Sequence, residues 1–591
     1  MILQALNALY ERRSRDPDPA RRLAAPGWED KAIPFVVELR PDGRPIQLRD
    51  TRRREGKRLV GTSYLVPQAV KKTSGVAANL LWDTAEYALG ASAKGDSPRL
   101  AEQFAAFRAR VEALWPFAPS DPALQALRAF LQAPDLAPLQ AAEHWADLLE
   151  TNAVVGFELA ADPSGLISSR PAVRAAVSAM QAAQGSTEQA PCLVLQGRML
   201  PVARLHTSLK NVWNAQSSGA SLVSFNLDAF NSYGKAQGLN APVSEQAAFA
   251  YTTALNDLLK PDSRNRVQVG DAATVFWADA PHDFDGTYTL ADLLGEPRPD
   301  NPDRGRDAVR ALYQAVQRGQ LPAAEGQTRF YLLGLAPNAA RISVRFWLPG
   351  VPFAKLAPRL LQHFEDIRVA RRFDSDPEVL SLFRLLSSCA LQGKADNIPP
   401  RLAGEWMRAI LEGLPLPAGL LHAAVQRCKA EQDVSYLRAC VLKACLNRGR
   451  SAQAVPETMP FKEALDMDNP APAYRLGRLF ATLERVQEQA QPGINATIRD
   501  RYYGAASTTP VAVFTTLLRL KNAHLKKLRR ESSVTFYEKL IGEILSPLQT
   551  FPRQLTLPEQ AEFALGYYHQ RQAFFTKKAG EEPDTDQPQG D

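Results

Sequence analysis

The 591-residue sequence predicts an α+β N-terminal body with a helical insertion, followed by an all-α C-terminal helical bundle. Three observations carry this expectation. Runs rich in β-branched and aromatic residues are concentrated before Phe353 and nearly vanish after it. Helical spacing of apolar residues dominates 97–185 and most of the chain from Phe353 onward. A proline-punctuated, weakly periodic stretch, SAQAVPETMPFKEALDMDNPAPA, precedes the last helical region. A chain of this length exceeds what one hydrophobic core serves. The expected divisions are 1–260 (α+β, with the insertion at about 97–185), 261–455 (α+β passing to helical), 467–578 (a helical bundle) and 579–591 (a disordered acidic tail).

In chain order, MILQALNALYER opens an amphipathic helix with Ile2, Leu3, Leu6 and Leu9 as its apolar residues. IPFVVELRPDGRPIQL reads as two short strands around a Pro-Asp-Gly turn, a hairpin whose far end feeds a basic run. KRLVGTSYLVP is a further strand. The Lys-Lys-Thr-Ser-Gly that opens KKTSGVAANLLWDTAEYALG has turn chemistry and small side chains, and reads as an exposed loop. RLAEQFAAFRARVEALW and PALQALRAFLQ carry the insertion. Pro242, Ser244 and Glu245 open an amphipathic helix through TTALNDLL. VGDAATVFWAD and TRFYLLGLAPNAARISVRFWL are strand-like. Beyond the proline-rich boundary, Leu476, Leu479, Phe480, Leu483 and Val486 form one helical stripe.

Bulk properties exclude several classes. Apolar residues make up 45% and charged residues 23%, near globular averages, and no window approaches a membrane-spanning run. The N-terminus lacks a basic region and an unbroken apolar stretch, so no signal peptide is expected. Cys192, Cys389, Cys428, Cys440 and Cys445 are odd in number and lack paired spacing, which suggests reduced, mostly buried thiols of a cytoplasmic protein. Asp279, Asp283 and Asp285 beside His282 are the best local cluster for a metal-dependent nuclease, but no second acidic cluster accompanies them. No P-loop or serine-nucleophile motif occurs. No catalytic residue, metal or cofactor is expected.

Charge points to nucleic acid. Residues 40–72 hold ten basic residues against three acids, so this one run equals the whole net charge of +7. Arg52, Arg53, Arg54, Lys57 and Arg58 within it are candidate backbone contacts. Lys71, Lys72, Thr73, Ser74, Gly75 and Asn79 follow as the candidate duplex-reading loop: lysines neutralise phosphate, and an amide can donate to minor-groove acceptors. An ordinary polar turn explains the same residues. Lys210, Asn211, Asn214, Gln216, Ser217 and Ser218 form a second dense polar segment, which equally suits buried turn satisfaction. Arg519, Lys521, Lys526, Lys527, Arg529 and Arg530 accumulate on a helix with Leu517, Leu520, Leu525 and Leu528 opposite, suited to a single-stranded backbone or to a solvated basic face.

Long strings carry a resemblance. MILQALNALYER, LVPQAVKKTSGVAANLLWDTAEYALG, WNAQSSGASLVSFNLDAFNSYGKAQGLNAPVSEQAAFAYTTALN, FYLLGLAPNAARISVRFW, IPPRLAGEWMRAIL, YLRACVLKACLNR, GINATIRDRYYGAAS and FALGYYHQRQAFFTKK occur in order over nearly the whole chain. They resemble the large-subunit family of the type I-C CRISPR surveillance complex, Cascade. The resemblance implies a non-catalytic subunit at the base of a crRNA-guided complex, beside the subunit that binds the crRNA 5′ handle and in contact with the backbone subunits. It implies recognition of the protospacer-adjacent motif (PAM) in double-stranded target DNA, help in opening the duplex into an R-loop, and recruitment of a separate helicase-nuclease. It also implies that the bundle at 467–578 resembles the Cascade small subunit and is made separately as small-subunit copies from an internal start, for which Met467, or alternatively Met459, is placed at the boundary. Two rivals make different expectations. A standalone DNA-binding regulator would bind a defined operator as a symmetric dimer, and a nuclease would cut DNA with divalent metal alone.

Overall fold

The computed structural model describes residues 1–591 apart from 19–20, 56–57, 71–74, 184–187, 270, 281–289, 296–302, 318–326, 400, 453–458 and 576–591. The acidic stretch expected at 579–591 lies outside the described residues. The chain divides into two compact units, Met1–Lys210 with Ser218–Asp257, and Asn211–Ser217 with Leu258–Asp591.

In the first unit, Phe35–Leu39 runs antiparallel to Pro45–Asp50, from Phe35 opposite Asp50 to Leu39 opposite Pro45. The turn between them requires glycine: Gly43 sits at φ +87°, and a Cβ there would lie 2.7 Å from Ala129 Cβ. Phe35–Leu39 is almost wholly buried because Val154–Leu159 pairs with it in parallel on its other edge. The sheet order is Pro45–Asp50, Phe35–Leu39, Val154–Leu159, Trp82–Thr84. The region 97–185 is therefore not helical throughout. VVGFEL is a short apolar run whose partner lies far earlier in the chain, so local periodicity cannot assign it. The expected helices do form around it. Pro98–Leu114 starts behind Ser97, whose Oγ accepts from the Leu100 N–H at 3.1 Å. Pro122–Gln132 starts behind Asp121, whose Oδ1 accepts from Ala123 and Leu124 at 3.0 Å each. Phe107 and Phe130 from these helices pack on Phe157, with ring centroids 6.0 and 5.9 Å away.

A two-stranded layer pairs Trp28–Ile33 with Thr62–Pro67. The first of these strands escapes sequence reading because WEDKAI carries three consecutive charged residues. KRLVGTSYLVP divides at Gly61 into Arg58–Val60 and Thr62–Pro67, the former pairing with Arg53–Glu55. Helix Ile2–Arg13 buries Leu6, Leu9 and Tyr10, and Tyr10 meets Phe249 edge-on at 5.6 Å. Phe249 belongs to Glu245–Leu258, which begins as expected: Ser244 Oγ accepts from the Ala247 N–H at 3.2 Å.

The second unit opens with an antiparallel sheet in sequential order, Arg266–Val269, Ala272–Ala278, Arg329–Asn338 and Arg341–Pro352. Trp277, Tyr331 and Trp347 stack across adjacent strands with centroids 5.4 and 5.8 Å apart. From Phe353 the described elements are helical. Helices Pro472–Ala490 and Leu557–Ala573 approach so closely that a Cβ on Gly477 would lie 2.0 Å from the Phe563 carbonyl oxygen, and one on Gly566 2.1 Å from that of Tyr474. One hydrophobic core runs from Val267 to Tyr568, so helices on both sides of 453–458 share it. Across that stretch Arg450 pairs with Glu562 at 2.8 Å, and Gln432 donates to the Asp500 carbonyl at 2.7 Å. All five cysteines are buried and free. Among the described residues, no helix is long and apolar enough to cross a membrane.

Candidate nucleic-acid interface

The basic run of the first unit separates into structural and exposed charges. Arg49 donates to Glu158 at 2.8 Å, and Arg52 is held by Asp50 at 2.8 Å and Asp147 at 3.0 Å with its guanidinium over the Phe35 ring. Arg52 thus braces the sheet. Arg53 and Arg54 are exposed on the small hairpin Arg53–Glu55/Arg58–Val60, where Leu59 is 60% exposed beside them. Lys57 lies outside the described residues, and Arg58 contributes its backbone to the hairpin register.

Lys71, Lys72, Thr73 and Ser74 lie outside the described residues. What bounds them is well defined. Gly75 adopts φ +88° with open space where a Cβ would stand. Asn79, by contrast, is only 5% exposed: its Oδ1 accepts from the Val70 N–H at 3.0 Å, and its own N–H donates to Asp83 at 2.8 Å. Asn79 therefore ties the two ends of the loop together. Trp82, next along, donates through Nε1 to the Pro67 carbonyl at 2.7 Å, a second tie across the same base.

Within the first unit, Lys210, the first residue of the second polar segment, stands near the base of this loop. Gln68 Nε2 donates to Thr207 Oγ1 at 3.1 Å, three residues before the exposed Lys210. Glu29, on the strand paired with Thr62–Pro67, has its carboxyl pushed up by burial and drawn back down by Lys210 and Lys31. Lys210 is itself fixed by its N–H on Asn256 Oδ1 at 2.9 Å, and the Leu209–Ala220 bridge closes the segment. In the second unit's short piece, Asn211, Asn214, Gln216 and Ser217 are exposed, and Asn211 and Asn214 take the left-handed conformation at φ +60° and +55°. Ser218, in the first unit, is also exposed.

Two exposed aromatics escape sequence reading. Trp213 stands among these asparagines. Tyr233 is 99% exposed on a loop knitted by Asn240, which accepts from the Ser232 N–H at 2.9 Å and donates to the Lys235 and Gln237 carbonyls at 3.1 and 3.0 Å. Aromatic residues in otherwise polar segments are the sequence signal that marks them.

In the C-terminal region the basic residues do not share one helix. Pro510–Leu525 carries Arg519 and Lys521 and ends at Leu525; Lys526, Lys527, Arg529 and Arg530 occupy the following turn, before Glu531–Leu545. Leu517 and Leu525 are buried beneath, while Leu520 is exposed. Cations at a helix C-terminus are favoured by its dipole, which gives the segment a local structural role as well. His524 is held below its ordinary pKa by burial and by Lys527. Of the acidic cluster, Asp279 accepts from the Arg329 N–H at 3.0 Å, while His282, Asp283 and Asp285 lie outside the described residues. Among the described residues no three metal-ligating side chains stand together.

A family model described as CRISPR-associated protein (Cas_Csd1) matches residues 6–575 of this chain. No curated protein matches it.

Proposed function

Because the chain belongs to the Cas_Csd1 family of CRISPR-associated proteins, we propose that it is the non-catalytic large subunit of a type I-C Cascade complex that reads the PAM of double-stranded DNA. The observation that carries this reading is the placing of a second candidate cation, Lys210, by the base of the loop closed by Asn79 and Val70, linked through Gln68 and Thr207. A loop with a fixed base whose sequence holds Lys71, Lys72 and small residues suits contact with phosphate and entry into a groove. The hairpin with exposed Leu59 paired across from Arg54 suits the next step, since apolar side chains inserted at a base step help unstack duplex DNA. Guide pairing with crRNA then reads the rest of the target, leaving this subunit a short motif and the displaced strand. Its partners on this reading are crRNA, target DNA, the 5′-handle-binding subunit, the backbone subunits, small-subunit copies and the helicase-nuclease.

The test is reconstitution with and without this chain. The full complex should prefer a PAM-bearing duplex over an otherwise identical one and retain the helicase-nuclease on it. Equal binding of the two duplexes by the full complex would defeat the proposal.

A further inference from the structure

A cleft of about 670 Å³ opens within the second unit, lined by Arg371, Arg372, Phe373, Arg499, Tyr567 and Phe575 among others. Its size falls in the range of small-ligand sites, roughly 300–1,000 Å³. One wall is a turn fixed from several directions. The Asp376 carboxylate accepts from the N–H groups of Arg372 and Phe373 at 3.0 and 2.9 Å. Arg371 Nη1 donates to the Asp374 and Asp376 carbonyls at 3.3 Å each, and the Tyr568 hydroxyl donates to the Ala370 carbonyl at 2.8 Å. This rigid turn nevertheless leaves the Phe373 ring 59% exposed, with the Arg372 guanidinium 5.2 Å from its centroid.

Phe575, just past helix Leu557–Ala573, repeats the arrangement. It is 57% exposed, with Arg485 and Arg571 guanidiniums 4.8 and 5.8 Å from its ring. A turn serving stability alone would gain by burying such a ring. All four cations that line the cleft are arginines, against Asp374 and Asp433. Arg571 is occupied by Glu484 and Glu488, whereas Arg372 forms no ion pair among the described residues. Arg499 is shared between Asp433 at 3.4 Å and Glu484 at 3.7 Å, which leaves Arg372 as the cation open to a ligand. Planar guanidiniums beside exposed rings match the paired needs of unpaired nucleotides, a face to stack on and a cation for phosphate.

We propose that this cleft binds single-stranded nucleic acid, stacking unpaired bases on Phe373 and Phe575 and holding phosphate at Arg372. The proposal deepens the function above by locating where a displaced strand is gripped, and it rests on that reading only for the source of the strand. An acidic peptide would use the arginines but gain little from the rings.

The full-length chain is titrated with a fluorescein-labelled oligothymidylate and with an oligonucleotide carrying a fluorescent base analogue quenched by stacking. Phe373→Ala with Phe575→Ala should weaken binding by about tenfold and abolish the quench, while Phe373→Trp retains it. Arg372→Ala should lower the salt slope by roughly one counterion. Because both rings are exposed, these variants keep the fold, which thermal unfolding verifies. Parental affinity and quench in the double Ala variant would overturn the proposal. So would displacement of the oligothymidylate by a polyglutamate peptide whose own binding ignores the double Ala change, which marks an acidic-peptide site. Preference for PAM duplexes, measured on the complex with the same variants, should be unchanged; its absence in the parent defeats the PAM reading and leaves the cleft standing.

Discussion

Replacing Asn79 by Ala removes the acceptor that holds the Val70 N–H and so cuts one of the ties across the loop at 71–74. The lost bond is a neutral one between a nine-tenths-buried side chain and a half-buried amide. A net hydrogen bond contributes about 1 kcal/mol, and stranding the amide adds to that, less where water reaches it. The expected cost is therefore about 1–2 kcal/mol, concentrated at the loop base because the Trp82–Pro67 bond survives. Native-state hydrogen exchange reads this directly: the Val70 amide should exchange roughly 5–30 times faster in Asn79→Ala, while amides of the Phe35–Leu39 strand keep their protection. In the assembled complex the PAM preference should narrow, since a loosened loop loses register. If Val70 protection is unchanged while PAM preference falls, Asn79 acts by touching bases and the positional argument made for it is wrong.

Other expectations concern the second unit. Changing Lys526, Lys527, Arg529 and Arg530 to Ala should weaken R-loop formation alike for all targets and flatten its salt dependence by roughly one counterion per lost phosphate contact; an unchanged slope in electrophoretic titrations leaves only the helix-terminal role. Met467→Leu with Met459→Leu should remove a small polypeptide from expressed complex, seen as loss of a band at constant large-subunit yield, and persistence of that band at the same mass excludes both starts. That polypeptide would lack Tyr436–Ala452, which shares the core of Leu557–Ala573, so alone it should bind an apolar-surface dye more strongly than the full chain. His569 is buried with Tyr474 and its pKa is pushed down to about 3 by burial, aided by Lys443. The unfolded chain takes up that proton near the ordinary value of about 6.5, so stability is unaffected above it and falls as pH drops toward the folded value, by at most about 1.4 kcal/mol per pH unit for this group. Urea midpoints at pH 6.5 and 5 should converge in His569→Asn relative to the parent, and an equal drop in both would remove His569 from the acid response. His363, also held near 3 by burial, retains its own share.

Much of the fold is legible where the signal is local. The Pro-Asp-Gly turn sets the hairpin of Phe35–Leu39 and Pro45–Asp50, and Ser244 caps Glu245–Leu258, because a few adjacent residues decide each. Val154–Leu159 and Trp28–Ile33 are not legible, since their pairing partners are remote or their charges mask the pattern. The same division runs through the candidate site. The basic run is visible as composition, but only the fold distinguishes Arg52, folded onto Phe35, from exposed Arg53 and Arg54. Asn79 stands among small polar residues in the sequence, and only the fold buries it. The arginine and aromatic cleft draws on residues 371–373, 499 and 567–575, a juxtaposition that no window of sequence contains.

The most direct test of PAM reading replaces residues 71–75 by a Gly-Ser segment of equal length in the assembled complex and compares affinities for matched duplexes that differ only in the PAM. The loop's ties at Val70 and Asn79 remain, so assembly and guide binding should persist. The account predicts that the preference for the PAM duplex collapses toward unity, a loss of about 1–3 kcal/mol for each base contact removed. A fully assembled complex that keeps its parental PAM preference without these five residues would contradict it.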